Sequence, residues 1–355
     1  MEKKGKILLG MSGGVDSSVS AILLQEQGYE VIGATLELFG DSCTNITTVK
    51  DAKKVCEKLG IKHITIELKK EFYKYVIKDF IDSYSICETP NPCIKCNRYI
   101  KFDIMHKKAK ELGCDYLATG HYAKIEYDEK WNQKVLKKSD SIRKDQSYVL
   151  YNVKKEILQD TIFPLGEFEN KDEIREIARK HGLEVANKKD SEDICFIPDN
   201  DYVRFLEENN LKSKKGNIVD TKGNILGKHT GLYKYTIGQR KGLGISSKFP
   251  LYVVKLDKGK NEVIVGKEEE IFSQKAIITD FNNLLTENKI ENMKVKAKVR
   301  YSAKEADAII NQIDNKTVEV NFLESQRAIT PGQALVLYLD DIVLGGGKIV
   351  KCYQY

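Results

Sequence analysis

No stretch of this 355-residue chain is apolar for long enough to cross a bilayer. The apolar run after MEKKGK is also too short for a secretory leader, so a cytoplasmic location is expected. Internal repeats and low-complexity segments are missing too, and the length suggests two or three folded domains. In a reducing compartment the eight cysteines are held as thiols, so any paired spacing points to metal or catalysis before structural disulfides. A strong net charge is likewise absent: the balance is +6. Residues 1–199 carry 33 basic and 33 acidic side chains, residues 200–269 carry 14 and 8, and residues 270–355 carry 11 and 11. The surplus therefore lies in the middle third. It serves either as a solubilising surface or as a site for a polyanion, and charge alone does not separate the two.

The first half alternates apolar strands with amphipathic helices. KILLGM precedes DSSVSAILLQEQG, whose Val19, Ile22 and Leu23 share a face, and Gly28 ends that helix before YEVIGATLEL. TVKDAKKVCEKLG, HITIEL, FYKYVIKDFIDSY, FDIMHKKAKELG and DYLATGHYA continue the pattern. This predicts an α/β doubly wound parallel sheet with ligands at the carboxyl ends of its strands. Beyond residue 200, short alternating strands and glycine turns take over, with a hairpin expected in YVVKLDKGKNEVIVG. Three domains are expected: 1–199 catalytic, 200–268 small and mixed, and 270–355 an all-β barrel.

GMSGGVDSS, residues 10–18, joins the first strand to the first helix. A tight turn with Asp16 or Ser17 capping the helix would leave two adjacent glycines, and several hydroxyls and a carboxylate, without a purpose. A phosphate cradle uses them all: bare N–H groups and the helix dipole attract the anion, Ser12, Ser17 and Ser18 add hydroxyls, and Asp16 can hold Mg²⁺. No lysine follows the glycines, which excludes the loop that supports γ-phosphate transfer, and G-x-G-x-x-G is not matched either. S-G-G-x-D-S resembles the pyrophosphate-binding loop of the ATP pyrophosphatases, which adenylylate an oxygen and release pyrophosphate.

Further motifs occur in order: TPNPCIKCNRYIKF, LATGHYAK, RKDQSYVLY, DSEDICFI and YTIGQRKGLG. Together they resemble the tRNA-specific 2-thiouridylases, essentially from Lys6 onward. The resemblance implies ATP-dependent replacement of O2 of the wobble uridine by sulfur, with tRNA and a persulfide donor protein as partners. It makes Cys96 the nucleophile and Cys195 the persulfide carrier, with a disulfide taking up the spent sulfur. The ATP site carries over as Gly10, Met11, Ser12, Gly13, Gly14, Val15, Asp16 and Ser17, with Leu36 and Gly120. Asn91, Pro92 and Cys93 match the segment that touches the target base. Lys144, Asp145 and Gln146 match a tRNA-contacting K-D-Q, and Arg300 with Tyr301 a contact in the barrel. Asp145 can equally cap a helix start. His121 reads as a cap or a nucleotide contact. Arg240 and Lys241 in GQRKG become candidate phosphate binders. Cys43, Cys56, Cys87, Cys114 and Cys352 fit no paired motif and read as structural.

The chain departs from the family's better-known form at Cys93, where aspartate is usual. Cys93, Cys96 and Cys195 could then hold a 4Fe–4S cluster, or Cys93 could be a spectator to unchanged persulfide chemistry; zinc would need Cys87 or His121 as a fourth ligand. Two competing functions are an ATP-dependent amidating synthetase and a non-catalytic tRNA-binding protein. The first does not require Cys96 and Cys195, and the second does not require an intact S-G-G-V-D-S.

Overall fold

The computed structural model describes residues 4–39, 43–187, 194–212 and 214–354. Residues 190–193 of DSEDICFI and the side chain of Cys43 lie outside the described residues. Two compact units are present: Met1–Val76, Cys93–Phe196 and Asp341–Val343 form the first, and Ile77–Pro92, Ile197–Asp340 and Leu344–Tyr355 the second. Residues 77–92 group with the second unit.

The first unit runs β1 (Lys6–Gly10), α1 (Val15–Glu26), β2 (Glu30–Glu37), α2 (Cys43–Leu59), β3 (Lys62–Glu67), β4 (Tyr116–Thr119), β5 (Lys124–Asp128), β6 (Gln133–Lys137) and β7 (Thr161–Ile162). A five-stranded sheet has the order β3-β2-β1-β4-β7, and every pair in it is parallel. The chain winds outward from β1 to β3 and returns to β4 on the other side, so the switch point opens between β1 and β4. Ile7, Leu8 and Leu9 are buried because a central parallel strand is covered on both faces. Met11, Val19 and Ile22 join Ala118 and Tyr122 in the core beneath this crevice.

Helical segments follow the strands. α3 (Lys69–Phe72) passes through a π-helical turn, Tyr73–Ile77, into α4 (Lys78–Ser85). α5 (Pro92–Lys95) passes through nine π-helical residues, Cys96–Ile104, into α6 (Met105–Glu111). α7 (Ser147–Leu150), α8 (Lys155–Gln159) and α9 (Lys171–Lys180) complete the first unit, whereas α4 and Pro92 fall in the second. Asn170 caps α9 by accepting from the N–H groups of Asp172 and Glu173.

In the second unit α10 (Tyr202–Glu208) precedes β8 (Gly216–Asp220), β9 (Ile225–His229), β10 (Tyr252–Asp257) and β11 (Glu262–Gly266), which form a four-stranded sheet in the order β10-β11-β8-β9. The expected hairpin is there, with Asp257 opposite Glu262. β12 (Phe272–Asn283), β13 (Met293–Lys298), β14 (Ala306–Asp314), β15 (Thr317–Arg327), β16 (Ala334–Leu339) and β17 (Ile342–Gln354) follow. They run β12-β15-β14-β13-β16-β17, and β12 pairs again with β17, which closes the barrel and leaves it no free edge.

Candidate functional site: a glycine loop and three thiols

The glycine loop leaves β1 at Gly10 and enters α1 at Val15. Gly14 occupies the N-cap position and no side chain caps the helix, contrary to the capping role considered for Asp16 or Ser17. The serines bond backwards instead: Ser17 Oγ and Ser18 Oγ donate to Gly14 O at 3.2 and 2.8 Å. Ser17 Oγ also accepts from Ser12 N at 3.2 Å, folding the loop onto itself. The α1 N-terminus thus keeps its dipole and N–H groups for an anion. Gly13 has φ +65, and a Cβ there would lie 2.7 Å from Thr48 O, so only glycine fits. Met11 and Val15 are 2% and 3% exposed, so they can offer a nucleotide only their backbone.

Leu36, at the carboxyl end of β2, is half-buried and registers with Ile66 of β3. Gly120 follows β4 across the crevice. A Cβ on it would sit 3.0 Å from Ser17 N and 3.1 Å from the Asp16 carbonyl carbon, so this glycine permits the close approach of the two backbones.

Two residues that were not legible in the sequence hold Asp16. Tyr122 donates its hydroxyl to Asp16 Oδ1 at 2.8 Å, and Lys171, the first residue of α9, donates to Asp16 Oδ2 at 2.9 Å. Lys171 is 11% exposed, so its ammonium lies well inside the site. Beside Tyr122, His121 is buried, its Nδ1 lies 2.7 Å from Thr119 Oγ1, and its ring packs near Phe102 and Phe163. Burial, and then the Lys101 charge, hold its pKa well below the ordinary value, so the ring is neutral at pH 7.

Cys96 opens the π-helical segment after α5 and is buried, whereas Cys93 and Cys195 are exposed. A π-helical stretch of this kind often marks a functional position. Phe196 packs on Phe72 at 5.9 Å, and Phe72 on Phe39 at 5.1 Å. This aromatic ladder fixes the Cys195 segment beside α3 and the end of β2. Burial pushes the Cys96 thiol up to about 12; Lys101 opposes the rise, while Cys195 and Cys93 add to it. Cys195 is exposed, yet its thiol is pushed up to about 11 by desolvation, then by Cys93, with Lys101 again opposing. The three thiols therefore share one electrostatic neighbourhood, and the cation in it is Lys101. Lys95 and Arg98, nearer to Cys96 in the chain, sit over the Tyr99 ring, and Arg98 also donates to Asn152 O at 3.1 Å. Among the described residues no group of three or more His, Cys, Asp or Glu side chains is placed to hold a metal ion, so in this arrangement the three thiols do not form a cluster ligand set.

The remaining candidates are distributed over both units. Gln146 is clipped to Tyr122, accepting from Tyr122 N at 3.0 Å and donating its own N–H to Tyr122 O at 2.8 Å. This places K-D-Q beside the loop that carries Gly120 and His121. Asp145 accepts from Ser139 N, Ser147 N and Ser147 Oγ just ahead of α7, whose N-cap residue, Gln146, makes no side-chain cap; Lys144 beside it is half-buried. Asn91 and Pro92 belong to the second unit, where Thr89 just before them donates to Pro331 O at 3.0 Å and accepts from Gln333 Nε2 at 2.7 Å. Arg300 Nη2 donates to Arg327 O at 3.0 Å, and Tyr301 is exposed with Lys298 over its ring. Arg327 Nη1 lies 3.7 Å from where a Cβ on Gly238 would stand, so Arg327, which no motif marked, joins Arg300 to the GQRKG turn with exposed Arg240 and Lys241.

Three family models match the chain in sequence: a tRNA methyl transferase HUP domain over residues 5–199, a tRNA methyl transferase PRC-barrel domain over 204–267, and an aminomethyltransferase β-barrel domain over 273–349. A tRNA-specific 2-thiouridylase MnmA of Caldicellulosiruptor saccharolyticus is 51% identical over 358 residues, covering 98% of this chain and 99% of that one. One from Clostridioides difficile is 48% identical over 355 residues, covering 98% of each. Among solved structures, a 4-thiouridine synthetase–RNA complex with bound ATP aligns at TM-score 0.35 and 20% identity, over 57% of this chain and 50% of that one, a likeness too slight to argue from. The model descriptions speak of methyl transfer, but identity near one half along the whole length decides the matter: the chain belongs to the family of tRNA-specific 2-thiouridylases.

Proposed function

We propose that the protein uses ATP to replace O2 of the wobble uridine of tRNA with sulfur, delivered as a persulfide on Cys195 and released by Cys96. A uracil carbonyl is a weak electrophile with oxide as its leaving group. Transfer of AMP to O2, with loss of pyrophosphate, turns that oxygen into part of a phosphate leaving group. The terminal sulfur of the Cys195 persulfide then attacks C2 and AMP departs, leaving uracil joined to Cys195 through a disulfide. Cys96 loses its proton and attacks Cys195 Sγ, the S–S bond breaks toward the base, and C2 keeps the sulfur as a thiocarbonyl. A Cys96–Cys195 disulfide remains, and an external dithiol must reduce it before the next turnover.

The chain's own groups divide this work. The uncapped α1 N-terminus and the loop N–H groups bind the phosphates, and Lys171 adds a cation beside them. Asp16 is the residue that would hold Mg²⁺, which when bound shields the leaving pyrophosphate. Lys101 offsets negative charge as Cys96 ionises. Neutral His121 has its Nδ1 turned to Thr119. The supporting observation is the shared neighbourhood of Cys96 and Cys195, far apart in the chain yet coupled in their ionisation. An amidating synthetase would have no use for that pairing, and a passive tRNA binder no use for the glycine loop.

The experiment is mass analysis of tRNA after incubation with the protein, ATP and a persulfide donor. The expected product carries one sulfur in place of one oxygen at the wobble uridine, with AMP and pyrophosphate released in equal amounts. Unmodified tRNA with ATP consumed would end this reading. Iron and sulfide in anaerobically purified protein, lost together with activity in Cys93→Asp, would replace the persulfide route by cluster chemistry.

A further inference from the structure

Tyr75 and Tyr99 stack at 4.8 Å between ring centroids, with planes 16° apart. Tyr75 lies in the π-helical turn after α3, and Tyr99 three residues beyond Cys96. Both rings are only half-buried, so the stack is not a core contact. Three cations surround it: Lys74 at 5.0 Å from the Tyr75 ring centre, and Lys95 and Arg98 each at 6.0 Å from that of Tyr99. Lys74 and Arg98 form no ion pair with a carboxylate among the described residues. Gathering like charges around partly exposed rings is unfavourable for the protein alone. It becomes favourable when an anion with flat faces arrives.

We propose that Tyr75 and Tyr99, with Lys74, Lys95 and Arg98, form a stacking shelf for a single-stranded nucleotide that flanks the target uridine of the RNA substrate. This rests on the sulfur-transfer reading and deepens it by assigning a contact outside the motifs. Unpaired bases are held by stacking on aromatic rings and guanidinium planes, with the backbone phosphates met by cations. A ring pair that is already parallel extends by one more layer without rearrangement. Tyr99 is at most about 5 Å of helix rise from Cys96. A base resting there therefore neighbours the one being modified, and unstacking the target leaves its neighbour in need of a new partner.

The test measures tRNA affinity, ATP affinity and single-turnover thiolation for the full chain and its variants. Tyr99→Ala should weaken tRNA binding about tenfold, the usual scale for one lost base stack, with ATP affinity unchanged, and Tyr99→Phe should restore it. Lys74→Gln, a change at an exposed side chain that the fold tolerates, should lower the slope of log affinity against log salt by about 0.7. Wild-type affinity in Tyr99→Ala together with an unchanged slope in Lys74→Gln overturns the shelf. Normal tRNA binding with impaired transfer from the donor protein also overturns it, because the surface would then serve a protein. Failure of the sulfur-transfer reading looks different: the wild type itself yields no thiolated tRNA.

Discussion

The phosphate end and the sulfur end of the first unit are prepared in opposite ways. At the glycine loop everything needed for an anion is in place without a ligand: an uncapped helix, a glycine at φ +65, and serines folded back out of the way. Around Cys96 and Cys195 the environment resists the charged form, and both thiols are held protonated at neutral pH. On the proposed function a nucleotide can bind at once, whereas the sulfur chemistry waits for something to change the local charge. In the proposed reaction, where ATP activates the substrate first, that asymmetry would order the steps: an exposed, permanently ionised thiol would react with oxidants between turnovers.

The comparison can be broken at either end. The largest effects are expected from Cys96→Ser and Cys195→Ser, each of which should eliminate thiolated tRNA in a mass assay while ATP still binds; substantial product from either variant removes the two-cysteine route. Asp16→Ala should abolish turnover with the fold intact by circular dichroism, and normal turnover in a folded variant would remove the glycine loop from the reaction. Gly120→Ala, whose new Cβ would press on the Asp16–Ser17 backbone, should weaken ATP binding without unfolding the protein.

An intermediate effect concerns the thiols' ionisation. Their pKa values lie at about 12 and about 11, above the ordinary thiol value of about 8.5, so the neutral form dominates at pH 7. Alkylation of Cys195 in the ligand-free protein should therefore be slow at pH 7 and rise about tenfold per pH unit up to pH 9. Lys101→Ala should slow it further, since Lys101 is the charge that opposes the rise; a rate flat with pH would show a thiol already ionised. The sign for stability follows. A raised folded pKa favours the fold fully below about pH 8.5, and that contribution is lost as pH climbs through the folded values. The smallest effect is expected in the second unit, where charge reversal at Arg240 and Lys241 should reduce the salt slope of tRNA binding by about 0.7–0.9 per lost phosphate contact. An unchanged slope would make the basic surplus a matter of solubility.

Strands and loops with a strong local signature were legible in advance. KILLG is apolar on both faces and could only be an interior strand, and the S-G-G-V-D-S loop lies where a strand gives way to a helix. The β5–β6 hairpin was not seen, because of its ten residues only Val135 and Leu136 are buried and the rest reads as polar loop. The π-helical segment beginning at Cys96 has no sequence mark at all, since it depends on how the helix is wedged against its neighbours. Asp16 was legible as a chemical group, but Lys171 and Tyr122 were not, because only tertiary folding brings them 155 and 106 positions to its side. The cation whose charge opposes the rise of the Cys96 thiol is Lys101, five residues on, which no motif marked. The side chains of Met11 and Val15 face the core, so of these two only the backbone is left for a nucleotide, which the motif could not show.

The contact between Asp16 and Lys171 bears on the order in which ligands arrive. A divalent cation approaching the empty loop meets a carboxylate that already has an ammonium at 2.9 Å and a tyrosine hydroxyl at 2.8 Å. It would have to displace the lysine while gaining no phosphate in return. A nucleotide that brings its own magnesium offers Lys171 new oxygens as it gives Asp16 a new cation, so both partners are exchanged in one event. If Asp16 holds magnesium as proposed, the loop would favour the metal–nucleotide complex over either component alone, and magnesium without ATP should bind only weakly.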